Sequence, residues 1–156
     1  MGADQDTERE VKRRGTPRLV VVTGVFDLLH LGHLRFLEAA RRLGDRLLVG
    51  VEADTRVRRW KGPGRPILAQ DDRSELLRGL RCVDDVFIID GERVDPMYYA
   101  DLLAPLGASA LAVTDDDPLL AEKRAAMESI GVTVVVVVPR IENYSTTRLV
   151  ELLGLA

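Results

Sequence analysis

Cysteine is nearly absent from the chain. Cys82 is the only one in 156 residues, which excludes an intrachain disulfide and a cysteine-based zinc cluster. Its apolar neighbours Leu80 and Val83 suggest a buried thiol rather than a nucleophile. Aromatic residues are also scarce, with three Phe, three Tyr and one Trp, so there are few surfaces on which bases could stack. Positive charge is not in excess: 22 Lys and Arg face 25 Asp and Glu, for a net charge of −3. A mildly acidic protein is a poor general binder of nucleic acid or anionic membrane, and any positive field it uses must be local. No apolar run approaches the ~20 residues needed to span a bilayer. Residues 1–16 are polar and dense in both charges, without the apolar segment of a secretory signal. These absences predict a cytoplasmic protein with no nucleic-acid or membrane partner. Residues 1–16 read as a flexible tail and 17–156 as one domain.

What the chain does have is alternation. Short apolar runs at Arg18–Thr23, Arg46–Val51, Asp85–Ile89, Ala108–Val113 and Val132–Val138 read as strands covered on both faces. Helical spacing separates them at His33–Leu43, Asp71–Leu80, Asp95–Leu103 and Pro118–Ile130, and Ser145–Leu153 closes the chain as a helix. Gly44 reads as the stop signal of the first helix. The predicted fold class is α/β: a single Rossmann-like domain with a five-stranded parallel sheet and helices on both faces. Such sheets bind ligands beyond the carboxyl ends of their strands, where strand order reverses.

The turn after the first strand, Thr23–His33, reads T-G-V-F-D-L-L-H-L-G-H and contains both histidines of the chain. If a helix begins near Leu31, His30 and His33 lie on one side of its first turn, about 4.5 Å apart along the axis. Gly32 between them would let an anion approach the backbone, and the helix amino terminus supplies unpaired N–H groups. The combination suits a chain of phosphates. A shared metal is the weaker reading, because Asp27 is the only other ligand in reach and structural zinc normally takes four.

The string Gly24-Val25-Phe26-Asp27-Leu28-Leu29-His30-Leu31-Gly32-His33 resembles the H-x-G-H signature of the cytidylyltransferase-like nucleotidyltransferase superfamily, and the likeness extends from Arg18 over nearly the whole chain. It implies transfer of a nucleoside monophosphate from ATP or CTP to a phosphorylated small-molecule acceptor, with release of pyrophosphate. On the same resemblance, Gly24, Val25, Phe26, Asp27 and Gly32 bind nucleotide around the catalytic His30 and His33. The segment Val57–Pro66 (V-R-R-W-K-G-P-G-R-P) resembles the lysine-bearing loop of the ADP-heptose and FAD-type members, which makes Lys61 a further catalytic residue. Arg81 falls where the cytidylyltransferases carry an arginine.

Pro139–Arg148 (P-R-I-E-N-Y-S-T-T-R) contains a good helix N-cap in Ser145. It also resembles the second family signature, which adds Arg140 to the catalytic set and Ser145 and Thr146 to the phosphate-binding set. Thr114 and Asp115, after the fourth strand, align with a stretch near the nucleotide or acceptor, although Thr114 replaces a glycine and the heptose-type lysine is missing. The resemblance further implies Mg²⁺ or another divalent cation, with Asp27 a possible ligand, and a homodimer. It favours a heptose-1-phosphate-type adenylyltransferase. The alternatives are a glycerol-3-phosphate-type cytidylyltransferase, an FAD synthetase-like adenylyltransferase and, outside enzymes, a nucleotide sensor without turnover.

Overall fold

Val20, Val21 and Val22 are all fully buried, which a strand permits only when both faces of its sheet are covered. A computed structural model describes residues 18–138 and 144–155; the expected tail at residues 1–16 lies outside the described residues. The elements in chain order are β1 (Leu19–Gly24), α1 (Leu31–Arg41), β2 (Arg46–Glu52), α2 (Asp54–Lys61), α3 (Gln70–Arg78), β3 (Asp85–Ile89), α4 (Pro96–Leu103) with a 3-10 turn at Ala104–Leu106, β4 (Ala110–Thr114), α5 (Leu120–Glu128), β5 (Thr133–Val138) and α6 (Thr146–Leu152).

The strands pair in the order β3-β2-β1-β4-β5, and every pairing is parallel. After β1 the chain builds outward through β2 and β3, then returns to lay β4 against the other side of β1. Strand order therefore reverses between β1 and β4, and their carboxyl ends flank a crevice that no crossover fills.

Alternation along the strands feeds two cores. Val20, Val22, Leu47 and Val49 meet Leu37 and Ala40 of α1 and Leu77 of α3 on one face. Val21, Leu111 and Val113 meet Tyr99 and Leu103 of α4 and Met127 of α5 on the other. Each large side chain taken out of water here is worth about 1.5–3 kcal/mol. Gly44 serves close approach rather than a left-handed stop, since α1 already ends at Arg42 in right-handed conformation. A Cβ on Gly44 would stand 2.6 Å from the carbonyl oxygen of Arg18.

α2 departs most from the sequence reading, which likens Val57–Pro66 to a lysine-bearing loop and places no helix between β2 and α3. Only Arg56 and Val57 of its eight residues are buried. Arg56 is 1 % exposed and pairs with Glu52 at the end of β2. It also donates to the carbonyl oxygens of Gly91 and Arg93 and to the Tyr99 hydroxyl, while that hydroxyl donates to Glu52 at 2.6 Å. A cation thus roots a helix that has little apolar surface to bury.

Arg73 of α3 does similar work closer to the crevice and is fully buried. Its guanidinium donates to the carbonyl oxygens of Leu68 (3.0 Å), Val25 (2.6 Å) and Glu52 (2.9 Å) and to the Asp54 carboxylate (2.7 Å). The turn after β1, the end of β2, the start of α2 and the segment before α3 are thereby tied to one planar group. Removing it would leave several buried acceptors and a carboxylate uncompensated. Arg73→Met is expected to lower unfolding free energy by about 3 kcal/mol or more, read from denaturant titration; a loss below ~1 kcal/mol would contradict this role.

Candidate active site

The segment joining β1 to α1 is strained and closely held. Phe26 (φ 53°) and Leu28 (φ 49°) are both left-handed without being glycine, at a cost of order 1–3 kcal/mol each. Between them Asp27 is 1 % exposed. One carboxylate oxygen accepts from Arg65 Nε (3.1 Å) and the Ile67 amide (2.8 Å), and the other from the Leu68 amide (3.0 Å). The Asp27 carbonyl oxygen accepts from the Thr146 hydroxyl at 2.6 Å. Gly24 leaves room for the Phe26 ring, since a Cβ there would come within 3.0 Å of it.

This turn delivers His30 and His33 together. His30 is the N-cap of α1, and its Nδ1 accepts from the Gly32 amide at 3.1 Å. In a neutral imidazole that bond places the proton on Nε2. Gly32 is required for this arrangement, because a Cβ would lie 2.9 Å from the His30 ring. The His33 ring stacks on that of His30, with centroids 3.9 Å apart and planes inclined by 22°, and Phe26 meets its other side edge-on at 5.4 Å.

Burial lowers both imidazoles, and His33 is pushed down to about 3. For His33 burial acts first and the neighbouring His30 and Lys61 act in the same direction, with Asp27 opposing. Both rings are therefore neutral near pH 7. His33 Nδ1 is buried without a partner; a proton on Nε2 leaves a lone pair there rather than an unmet N–H. Lys61, at the end of α2, is itself lowered by burial and by Arg65, with Asp27 opposing.

A cavity of about 390 Å³ opens where β1 and β4 part. Thr23 and Gly24 form its floor with Ala112, Val113 and Thr114 of β4, the histidine pair and Phe36 form the α1 wall, and Ser145–Thr147 close the opposite end. Lys61 enters from α2, and Asp116, Asp117 and Lys123 line the far side. Ser145 caps α6, its hydroxyl oxygen accepting from the Arg148 amide at 3.2 Å, which leaves its O–H free to donate.

The structure thus gathers Gly24, Val25, Phe26, His30, Gly32, His33, Lys61, Thr114, Ser145 and Thr146 around one cavity. It does not place Asp27 as a metal ligand, since both carboxylate oxygens already hold the 65–68 segment. Among the described residues no cluster of three His, Cys, Asp or Glu could hold an ion. Thr146 lines the cavity, but its hydroxyl proton is committed to the Asp27 carbonyl. Arg81 is exposed in the turn leading into β3, at the amino end of the parallel sheet and so opposite the cavity. Asp115 is exposed and absent from the lining, and Arg140 lies outside the described residues. Sequence reading missed Phe36, Lys123 and Tyr144 of the lining. Lys123 sits on a largely exposed helix and reaches the cavity only through the fold, so nothing local marks it.

Fold and cavity together define a class: a parallel α/β domain that carries an H-x-G-H turn at the carboxyl end of its first strand. The cytidylyltransferase-like family model matches residues 21–152, and the chain belongs to that family. It is 43% identical over 96 residues to the bifunctional protein HldE of Syntrophotalea carbinolica, covering 62% of this chain and 19% of that protein. It is 39% identical over 140 residues to HldE of Trichlorobacter lovleyi, covering 88% and 27%. The chain therefore spans roughly a quarter or less of the length of these relatives. A crystal structure of the lipopolysaccharide core biosynthesis protein from Thermoplasma volcanium superposes with a TM-score of 0.64 at 30% identity, covering 83% of this chain and all of that one.

The buried neutral histidine sets a pH dependence. The unfolded chain protonates His33 below about pH 6.5, whereas the folded protein resists until about pH 3. The unfolded state then binds more protons, so stability falls as pH drops through this window. Between pH 7 and 4.5 the protein is expected to lose roughly 2 kcal/mol more unfolding free energy than His33→Gln. Parallel pH curves for the two proteins in chemical denaturation would rule out this contribution.

Proposed function

We propose that this domain transfers adenylate from ATP to a sugar phosphate of the heptose-1-phosphate type, releasing pyrophosphate. The observation that carries the reading is the stacked, neutral His30–His33 pair beside Lys61 in the crevice between β1 and β4. An oxygen of the acceptor phosphate attacks the α-phosphorus in line and the bond to the β-phosphate oxygen breaks. Chemistry of this kind depends on positioning and on stabilising charge as it develops. His30 presents Nε2–H because its Nδ1 is held by the Gly32 amide, so it acts as a preorganised donor to phosphate oxygen. His33 acts beside it as a second neutral donor. Lys61 supplies the cation for the departing pyrophosphate, and Ser145 and the amides at the start of α6 contact the outer phosphates. Arg140 is expected to join them on the family resemblance.

No carboxylate set among the described residues suits a resident divalent ion. Mg²⁺ is therefore assigned to the triphosphate substrate, whose charge it offsets, and no step here depends on a metal held by the protein. On the family resemblance we also expect a homodimer acting in the cytoplasm, without nucleic-acid or membrane partners. No described helix is long and apolar enough to cross a membrane.

Identity to the HldE proteins favours the adenylyltransferase reading. The cytidylyltransferase alternative keeps the Ser145-Thr146-Thr147 segment but loses Arg81, which stands at the other end of the sheet. Pyrophosphate release with ATP or CTP against heptose 1-phosphate, glycerol 3-phosphate and FMN separates these readings, and ATP with heptose 1-phosphate is the expected pair. Triphosphate binding without pyrophosphate release for any pair would mark a sensor and overturn the proposal. His33→Ala is expected to remain folded and to lose about 10²-fold or more in turnover, the scale for one preorganised donor; near-wild-type turnover would remove His33 from the reacting set.

A further inference from the structure

Aromatic side chains are scarce in this protein, yet two of them bracket the histidine pair. Phe26, His33, His30 and Tyr144 form a column in which each ring contacts the next, and all four line the cavity. The first three rings belong to the β1–α1 turn and to α1. Tyr144 comes from the far end of the chain, immediately before the Ser145 cap of α6. Its ring centroid lies 6.3 Å from that of His30 with the planes inclined by 33°, within the range of favourable aromatic pairs.

Two contacts fix Tyr144 in this place. A Cβ on Gly32 would stand 3.3 Å from the Tyr144 Cβ, so the tyrosine packs on the first turn of α1 where that turn has no side chain. Just beyond it, the Thr146 hydroxyl donates to the Asp27 carbonyl oxygen at 2.6 Å. The segment that precedes α6 is thereby held against the turn that delivers the histidines.

His30 needs such support. Its Nδ1 is held by the Gly32 amide and its ring stacks on His33, but both contacts come from α1 and neither opposes tipping away from His33 into water. A tipped ring loses the aim of its Nε2–H, and a hydrated one also gains protons more readily. Burial alone holds the His30 imidazole below the ordinary histidine range, and Tyr144, 42 % exposed, is the remote side chain that covers it. Resting on the transferase reading above, we infer that Tyr144 is a positioning residue: it closes the outer end of the aromatic column and keeps His30 aimed at the phosphates, so that the α6 segment completes the donor pair carried by α1.

The test compares untagged wild-type protein with Tyr144→Ala and Tyr144→Phe, by steady-state kinetics with ATP and heptose 1-phosphate and by NMR titration of the imidazoles. His30 and His33 are the only histidines of the chain, so each signal can be followed separately. Tyr144→Ala is expected to lose about tenfold in kcat, the scale of one aromatic contact, with KM for ATP within about twofold, and Tyr144→Phe to restore most of the loss. In Tyr144→Ala the His30 titration should move up toward the ordinary range, while His33, covered by Phe26, stays neutral. The charged groups that share the cavity with the pair, Lys61, Lys123, Asp116 and Asp117, are unchanged in both variants, as is Asp27 in the turn that precedes it, so the shift reports lost cover. An unmoved His30 titration, an equal rise at both histidines, a loss confined to KM for ATP, or no recovery in Tyr144→Phe would each overturn the assignment. Failure of the wild-type protein to release pyrophosphate would defeat the transferase reading alone, because the imidazole titrations still decide whether Tyr144 holds His30.

Discussion

The Asp27 carboxylate makes three hydrogen bonds with the segment that leads into α3, and its carbonyl oxygen fastens the start of α6. Three stretches remote in sequence therefore meet at one residue directly behind the histidine pair. The left-handed residues on either side of it, Phe26 and Leu28, would not persist in an unconstrained loop, since nothing local favours that conformation for a bulky side chain. Arg73 binds the same turn from beneath through the Val25 carbonyl. The two charged residues are complementary: a carboxylate gathers amides and a guanidinium gathers carbonyls, so polar backbone that leaves the sheet finds partners without water.

That frame explains the electrostatics of the pocket. The chain is acidic overall, yet the proposed polyphosphate site needs donors and local positive charge. Arg65 stands beside Lys61 and beside the Asp27 carboxylate, so part of the field of each cation is balanced at the rear while Lys61 faces the cavity. The histidines contribute as neutral donors whose protons are set by geometry rather than by bulk pH. His30 owes its tautomer to the Gly32 amide, and Gly32 can offer that amide only because it lacks the Cβ that would strike the ring. The H-x-G-H spacing is thus one unit in which cap, glycine and stacked pair depend on one another.

Much of this was legible in the sequence because it is local or periodic. The five strands fall within two residues of their predicted limits, since doubly covered strands are continuous aliphatic runs. The placement of His30 and His33 on one side of α1 followed from helical spacing alone. What escaped notice depends on long-range partners. Nothing local marks Arg56 or Arg73 for burial, yet both are buried, because their acceptors come from the ends of other elements. Asp27, next to the histidines, invites a metal-ligand reading that only its contacts with residues 65–68 displace. Arg81 shows the reverse error: it matches a family position in sequence, but the turn before β3 belongs to the wrong end of a parallel sheet.

α2 shows how far the site depends on these hidden contacts. Its single buried aliphatic residue, Val57, could not hold an eight-residue helix in place, and isolated helices of that length are marginal. The Glu52–Arg56–Tyr99 network supplies the missing anchor and fixes the direction in which the helix leaves β2. Trp60 and Lys61 occupy its last turn, so that one anchor orients both the lysine that enters the cavity between β1 and β4 and the exposed indole beside it. The direction from which Lys61 enters the cavity is therefore set by a buried ion pair at the end of β2, outside the cavity lining.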